Sequence, residues 1–253
     1  MSDKKGVFLS DISVEDCESL LNEKTIVVLP IGGGAKEHGG HLPMGTDYFV
    51  TDWIAARVTE RFPVVTLPTL PYAYFPAFVN WKGSVSIQAF NFANFVEDIL
   101  VSFVNHGVKK FLIIDGGVST HIPLKILSAT MTNKYGVQLG VTNCLGLGKE
   151  VDEALCRQPR GGHGDEAETS TMLHIRPELV KMEETVEEYF TSIPGVNKNA
   201  VNRVYLFGHA NSPRGTNGNS TFATKEKGEQ MLEAKIKDIL DFLESFAVIV
   251  NKH

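Results

Sequence analysis

Apolar residues in this 253-residue chain fall in short, nearly unbroken runs rather than alternating strictly with polar ones. "TIVVLPI" (25–31), "VVTLPTL" (64–70), "KKFLIID" (109–115), "QLGVTNC" (138–144) and "NRVYLFGH" (202–209) read as strands covered on both faces. Between several of them the period lengthens to that of a helix. "SVEDCESLL" opens with Ser13 and Asp16 at capping-box spacing. "FNFANFVEDILVSFVNHG" puts Phe92, Phe95, Val96, Ile99 and Phe103 on one helical stripe and stops at Gly107. "TKEKGEQMLEAKIKDILDFLESFAVIV" predicts a long amphipathic helix, weakened by Gly228 near its start. The alternation predicts an α/β fold, three-layer α-β-α with a mostly parallel central sheet. No repeat or composition break divides the chain, so 1–253 reads as a single domain.

Open α/β sheets bind ligands at the carboxyl ends of their strands. Four polar clusters here follow a strand-like run or open a helix, which suggests one shared pocket. "IGGGAKEHGGHLPMGTD" offers Glu37, His38, His41 and Asp47 on a glycine-rich backbone. Imidazole with carboxylate suits zinc, manganese or a similar divalent ion. The alternative is a polar turn with Asp47 capping the helix "YFVTDWIAARVTERF". A phosphate cradle fits poorly, because Glu37 follows Lys36 where a P-loop needs Ser or Thr.

In "GGHGDEAETSTML", Asp165 and Glu168 have capping-box spacing, and acids suit a helix N-terminus without any function. Capping leaves the glycine-flanked His163 unexplained, and a histidine there can move protons near neutral pH. "DGGVSTH" offers the amides of Gly116 and Gly117 with Asp115, Ser119 and His121. It is either an oxyanion or substrate loop, or a plain turn capped by Ser119 or Thr120. No Gly-x-Ser-x-Gly elbow supports a serine nucleophile. "PYAYFPAFVNWKGS" is either a pocket lining with Trp81 as a wall or an interface between copies. "HANSPRGTNGNSTFA" (209–223) is a loop long enough to be functional.

Composition narrows the partners. A formal charge of −6 with no Lys/Arg-rich face argues against nucleic acid. No apolar run reaches the roughly 20 residues needed to span a bilayer, and the start shows no secretory h-region. Cys17, Cys144 and Cys156 are odd in number and lack CxxC spacing, as expected of reduced thiols in a cytoplasmic protein.

Several segments together resemble the creatininase (creatinine amidohydrolase) family. "LPIGGGAKEHGGHLPMGTD" is similar to that family's "PxGxxEQHGPHLPLxTD". "GHGDEAETSTMLHIRPELV" is similar to "HAGEFETSLMLALRPELV", and "TNGNSTFATKEKGEQMLEA" to "GdPxxATxEKGExLL". "WKGSVSI" stands where the family has "FPGTISL". The resemblance spans most of the chain and implies a layered α/β hydrolase, often hexameric, that uses a divalent metal, zinc or manganese. It implies water attack on the carbonyl of a small cyclic or linear amide, with C–N cleavage. Hydrolytic C–C ring opening of a cyclic polyol ketone (an inosose) is the variant within the same chemistry. A catalytically silent binding member is the alternative from another class.

Residue by residue, His38 matches a metal-binding histidine and Asp47 the carboxylate that bridges two metals. His163 matches the catalytic histidine, and Glu168 the acid of the family's "FETS" piece. Lys36 stands where the family has a glutamate, and a one-residue bulge would bring Glu37 into that ligand position. Gly117 stands at a metal histidine of the family's "NGHGGN". These departures imply a single ion or a site rebuilt with Glu168, His41 or His121. The expected metal set is therefore Glu37, His38, Asp47 and Glu168, with His163 as general acid. His41, Trp81, Gly116, Gly117 and Ser119 are expected to face the substrate, in a homo-oligomer of two to six copies.

Overall fold

The computed structural model describes residues 5–190 and 212–249. Strands β1 (Val7–Phe8), β2 (Ile26–Ile31), β3 (Val65–Thr66), β4 (Lys110–Asp115) and β5 (Gln138–Val141) form one five-stranded sheet in the order β1-β3-β2-β4-β5. Every pairing in it is parallel. The four expected strands within the described residues are present, although the second pairs as a ladder only at Val65 and Thr66, with an isolated bridge from Ile31 to Leu70. The expected strand 202–209 lies outside the described residues, as does the start of the 209–223 loop. β1 was not anticipated, because two residues are too few to show a period.

β2 is buried at all six positions, which explains why it lacks polar alternation. Its odd-numbered residues face one layer and its even-numbered residues the other. Val27, Leu29 and Ile31 join Phe111 and Ile113 of β4 against helices α3 (Ala89–Val104) and α4 (His121–Tyr135). Val28, Leu112 and Ile114 meet α2 (Thr46–Arg61) and the C-terminal helix (Lys225–Ala247) through Ile54, Val58, Ile236 and Leu243. This is the expected three-layer α/β arrangement.

Two helical expectations shift. The stripe of α3 that meets the sheet runs Phe92, Val96, Leu100, with Ile99 and Phe103 packed partly beside it, while Phe95 is exposed. At about 100° per residue Phe95 lies on one side of Phe92 while Val96 and Leu100 lie on the other, so it falls at the outer edge of the stripe. Gly228 is a contact site rather than a weakness. A Cβ there would lie 1.9 Å from the Ser170 carbonyl oxygen, so glycine lets the C-terminal helix approach α5 (Glu166–Ile175). Helix α1 (Val14–Leu20) carries the capping box expected of Ser13 and Asp16. Among the described residues no helix is long and apolar enough to cross a membrane.

β2 and β4 are parallel neighbours in register, Ile31 opposite Asp115. Their exits therefore open at the same end of the sheet, where the expected pocket lies.

Candidate functional site

Asp47 stands in the first turn of α2, yet it does not cap that helix: Gly45 holds the cap position without a side-chain bond. Its carboxylate turns inward instead. Oδ2 lies 2.7 Å from the Lys36 ammonium, and Oδ1 lies 2.7 Å from Nε2 of His38. All three side chains are buried. Burial pushes the Asp47 carboxyl up, but the charges of Lys36 and His38 outweigh it and hold Asp47 well below the usual carboxylate range. Burial likewise opposes the ammonium of Lys36, and Asp47 and Glu168 overcome it, raising Lys36 above its ordinary value. The rings of Phe75 and Phe78 close the other side of the ammonium, each centroid 5.1 Å from Nζ.

Each of the two central imidazoles is held from behind. Nδ1 of His38 lies 3.0 Å from the Lys36 carbonyl oxygen and must donate to it, while Nε2 faces the ionised Asp47 carboxylate and donates there. Nε2 of His163 lies 3.1 Å from Oε2 of Glu37, while its Nδ1 is 4.0 Å from Oε2 of Glu168. Burial, reinforced by Lys36 and His38, keeps His163 well below its ordinary value and hence neutral. The two rings lie 4.9 Å apart, and Phe78 packs 4.4 Å from His163.

Glu37 accepts from the Gly39 amide as well as facing His163, and burial raises its carboxyl to about 7. Gly215, with φ of +78°, fits closely over this carboxylate: a Cβ there would lie 1.9 Å from Oε1.

Glu168 occupies the first turn of α5. Asp165 caps the amides of Ala167 and Glu168, but the return half of the capping box is not made. The Glu168 carboxylate accepts from the Gly164 amide at 2.6 Å, and burial raises it above its ordinary value. One ligand atom each from His38, His163 and Glu168 lies within 4.8 Å of the others. Asp47 adjoins this group through His38, and Glu37 stands behind it.

The other expected residues are spread around this centre. His41 Nε2 lies 2.9 Å from the Thr169 hydroxyl, and burial, then His38, lowers its pKa to about 4. A cavity of about 190 Å³ opens beside Asp47, lined among others by Lys36, Asp115, Gly116, Cys144 and Glu168. Gly116 is thus in its wall, whereas His41, Trp81, Gly117 and Ser119 are not among its lining residues. Trp81 and Ser119 are half-buried. The Gly117 amide, expected to serve an oxyanion, donates to Oδ1 of Asp115 at 3.1 Å.

Two participants were underrated from sequence. One is Lys36, whose glutamate-replacing position was the available signal. The other is Asp115. Its Oδ1 accepts from Gly117 and from the Thr120 hydroxyl at 2.5 Å, while Oδ2 is buried without a hydrogen bond, 3.7 Å from Nδ1 of His121. Burial raises Asp115 to about 7 and the adjacent Cys144 thiol to about 12, so that thiol is not a nucleophile at neutral pH.

A parallel sheet with imidazoles and carboxylates gathered at its strand exits places this chain among α/β proteins with a candidate catalytic centre. The Creatininase family profile, described as creatinine amidohydrolase, matches residues 10–243, and the chain belongs to that family. It is 26% identical to the creatinine amidohydrolase of Pseudomonas putida, covering 94% of this chain and 96% of that one. It is 24% identical to the 3-dehydro-scyllo-inosose hydrolase of Thermotoga maritima, covering 94% and 82%. It is 25% identical to the mycofactocin precursor peptide peptidase of Mycobacterium tuberculosis, covering 84% and 82%. A crystal structure of creatininase superposes with a TM-score of 0.82 at 23% identity, covering 97% of this chain and all of that one. A manganese form and a mutant of Zn-Zn type share the fold at a TM-score of 0.80 each, with 24% and 22% identity, each match covering 96% of this chain and 99% of that one.

Proposed function

We propose that this chain is a hydrolase that uses one divalent ion, zinc or manganese, to cleave a C–N bond beside the carbonyl of a small cyclic or linear amide. The ligands in this proposal are His38 Nε2, His163 Nδ1 and Glu168, with Asp47 beside them. The observation that carries it is the pair of imidazoles whose outer nitrogens are satisfied by the Lys36 carbonyl and by Glu37. Metal-binding histidines are held in this way, with the inner nitrogen turned toward the ion. Two imidazoles and a carboxylate also match the three-ligand sets of catalytic zinc sites, which keep a position open. This moves His163 from proton donor to ligand, and Glu37 from ligand to its outer partner.

A divalent ion held there polarises a carbonyl and makes water a stronger acid. The protein supplies the rest. Val50, Ile54, Ile114 and Leu145 form apolar parts of the cavity wall and limit access of bulk water. Asp115 lines that cavity, and its carboxyl, raised by burial to about 7, is the lining acid we assign to protonate a departing nitrogen. Ring opening of a cyclic polyol ketone is the second substrate class. It draws on the inosose hydrolase relative and needs the same polarised carbonyl.

Elemental analysis of the purified protein with a chelator titration tests the proposal. The expected result is zinc or manganese bound stoichiometrically, with turnover of a small amide or inosose that is lost on chelation, and little metal in His38→Ala. Metal-free protein that binds a small heterocycle or polyol without turning it over contradicts the proposal and favours a silent binding role.

A further inference from the structure

We infer that the Lys36 ammonium is the second cation of this site, so that the chain takes one divalent ion and supplies the other positive charge itself. The inference rests on the single-ion function proposed above.

Lys36 reaches forward along the β2 exit and places Nζ on Oδ2 of Asp47, while His38 takes Oδ1. A carboxylate with one oxygen on an ammonium has only the other to offer an ion. The walls around Nζ also suit a fixed charge better than a metal. The Phe75 and Phe78 rings attract a cation by their quadrupoles but carry no lone pair for coordination. Gly117, nearby on the β4 exit, has no side chain, and a Cβ there would meet the Phe75 ring at 2.9 Å and Thr120 Oγ1 at 2.5 Å. Position 117 therefore cannot supply a ligand, and with Lys36 in place Asp47 is the carboxylate left to that corner. Among the described residues, the one cluster of His, Cys, Asp or Glu able to hold a metal is His38, His163 and Glu168, and it leaves the Lys36–Asp47 pair aside.

A related creatininase structure is of Zn-Zn type. A second divalent ion on Asp47 here would have to displace the ammonium into the aromatic wall, against both Coulomb repulsion and desolvation. Unlike an ion, Lys36 cannot be chelated away. It also lines the cavity beside Asp115 and Glu168. An ammonium has three N–H donors, and the bond to Asp47 uses one. The remaining donors are available to the carbonyl oxygen of a molecule bound in that cavity.

Zinc stoichiometry tests this without relying on activity. Wild-type protein is saturated with zinc, freed of excess, and counted by elemental analysis and native mass spectrometry. One ion per chain is expected in the wild type and two in Lys36→Glu, where a carboxylate replaces the ammonium. Two ions in the wild type would overturn the role of Lys36 and leave the metal-dependent function standing; none would overturn both. A folded Lys36→Glu protein that still holds one ion would also overturn it. The wild-type count is decisive even if the variant does not fold.

Discussion

Asp47 and Asp115 sit at the exits of two neighbouring strands, both almost fully buried, yet burial ends in opposite charge states. Asp47 has an ammonium on one oxygen and an imidazole on the other, and it stays ionised far below the usual carboxylate range. Asp115 has two neutral donors on one oxygen and none on the other, and its pKa rises to about 7. Desolvation alone would raise both. The partner decides, and one lysine separates a permanent anion from a carboxyl able to exchange its proton at neutral pH. The β2 exit therefore stores charge, and the β4 exit can move protons.

Removing the cation should break this contrast most severely. Lys36→Met leaves Asp47 buried with only His38, and loss of one partner from a buried pair costs about 3–5 kcal/mol. Because Asp47 is depressed in the folded state, its contribution exists above its ordinary pKa and is lost as pH falls below about 4. Thermal unfolding should show the full deficit at pH 7 and a smaller one in acid. A constant deficit would mean that Lys36 acts through packing alone.

Asp115→Asn should do the reverse. The raised pKa of Asp115 means that its ionised form opposes folding as pH climbs from its ordinary value of 3.8 to about 7. The neutral amide escapes that penalty while still accepting from Thr120 and Gly117. The variant should gain about 2–4 kcal/mol relative to wild type between pH 4 and pH 8. Equal stability difference at both pH values would show that Asp115 ionises normally.

Glu37→Gln lies outside both pairs and sharpens their boundary. It weakens the bond that orients His163, so zinc affinity should drop by about 10–100-fold while the Lys36–Asp47 pair persists. Competition with a chromophoric chelator measures this. Unchanged affinity would remove His163 from the ligand set, and with it the reassignment of Glu37.

The layered fold was legible because its strands are buried on both faces and so read as plain apolar runs, β2 above all. Phe95 was misplaced because neighbouring apolar residues on α3 fit two overlapping stripes, and only the packed partner selects one. Gly228 was misjudged because helix propensity carries no information about a helix far earlier in the chain. At the site, His38, Asp47, His163 and Glu168 were visible as residue types at strand exits, whereas their pairings were not. The spacing of Asp165 and Glu168 matches a capping box, yet Glu168 bonds Gly164 instead. Lys36 reads in sequence as a lost ligand. Only the 2.7 Å contact with Asp47 shows that it puts a charge of its own in that place.

Anomalous diffraction at the zinc edge from zinc-soaked crystals locates the ion and the Lys36 ammonium together. A single peak is expected among His38 Nε2, His163 Nδ1 and Glu168, with the Lys36 ammonium still on Oδ2 of Asp47. A peak at the ammonium position with Lys36 swung away, or two peaks sharing Asp47, would contradict the single-ion assignment.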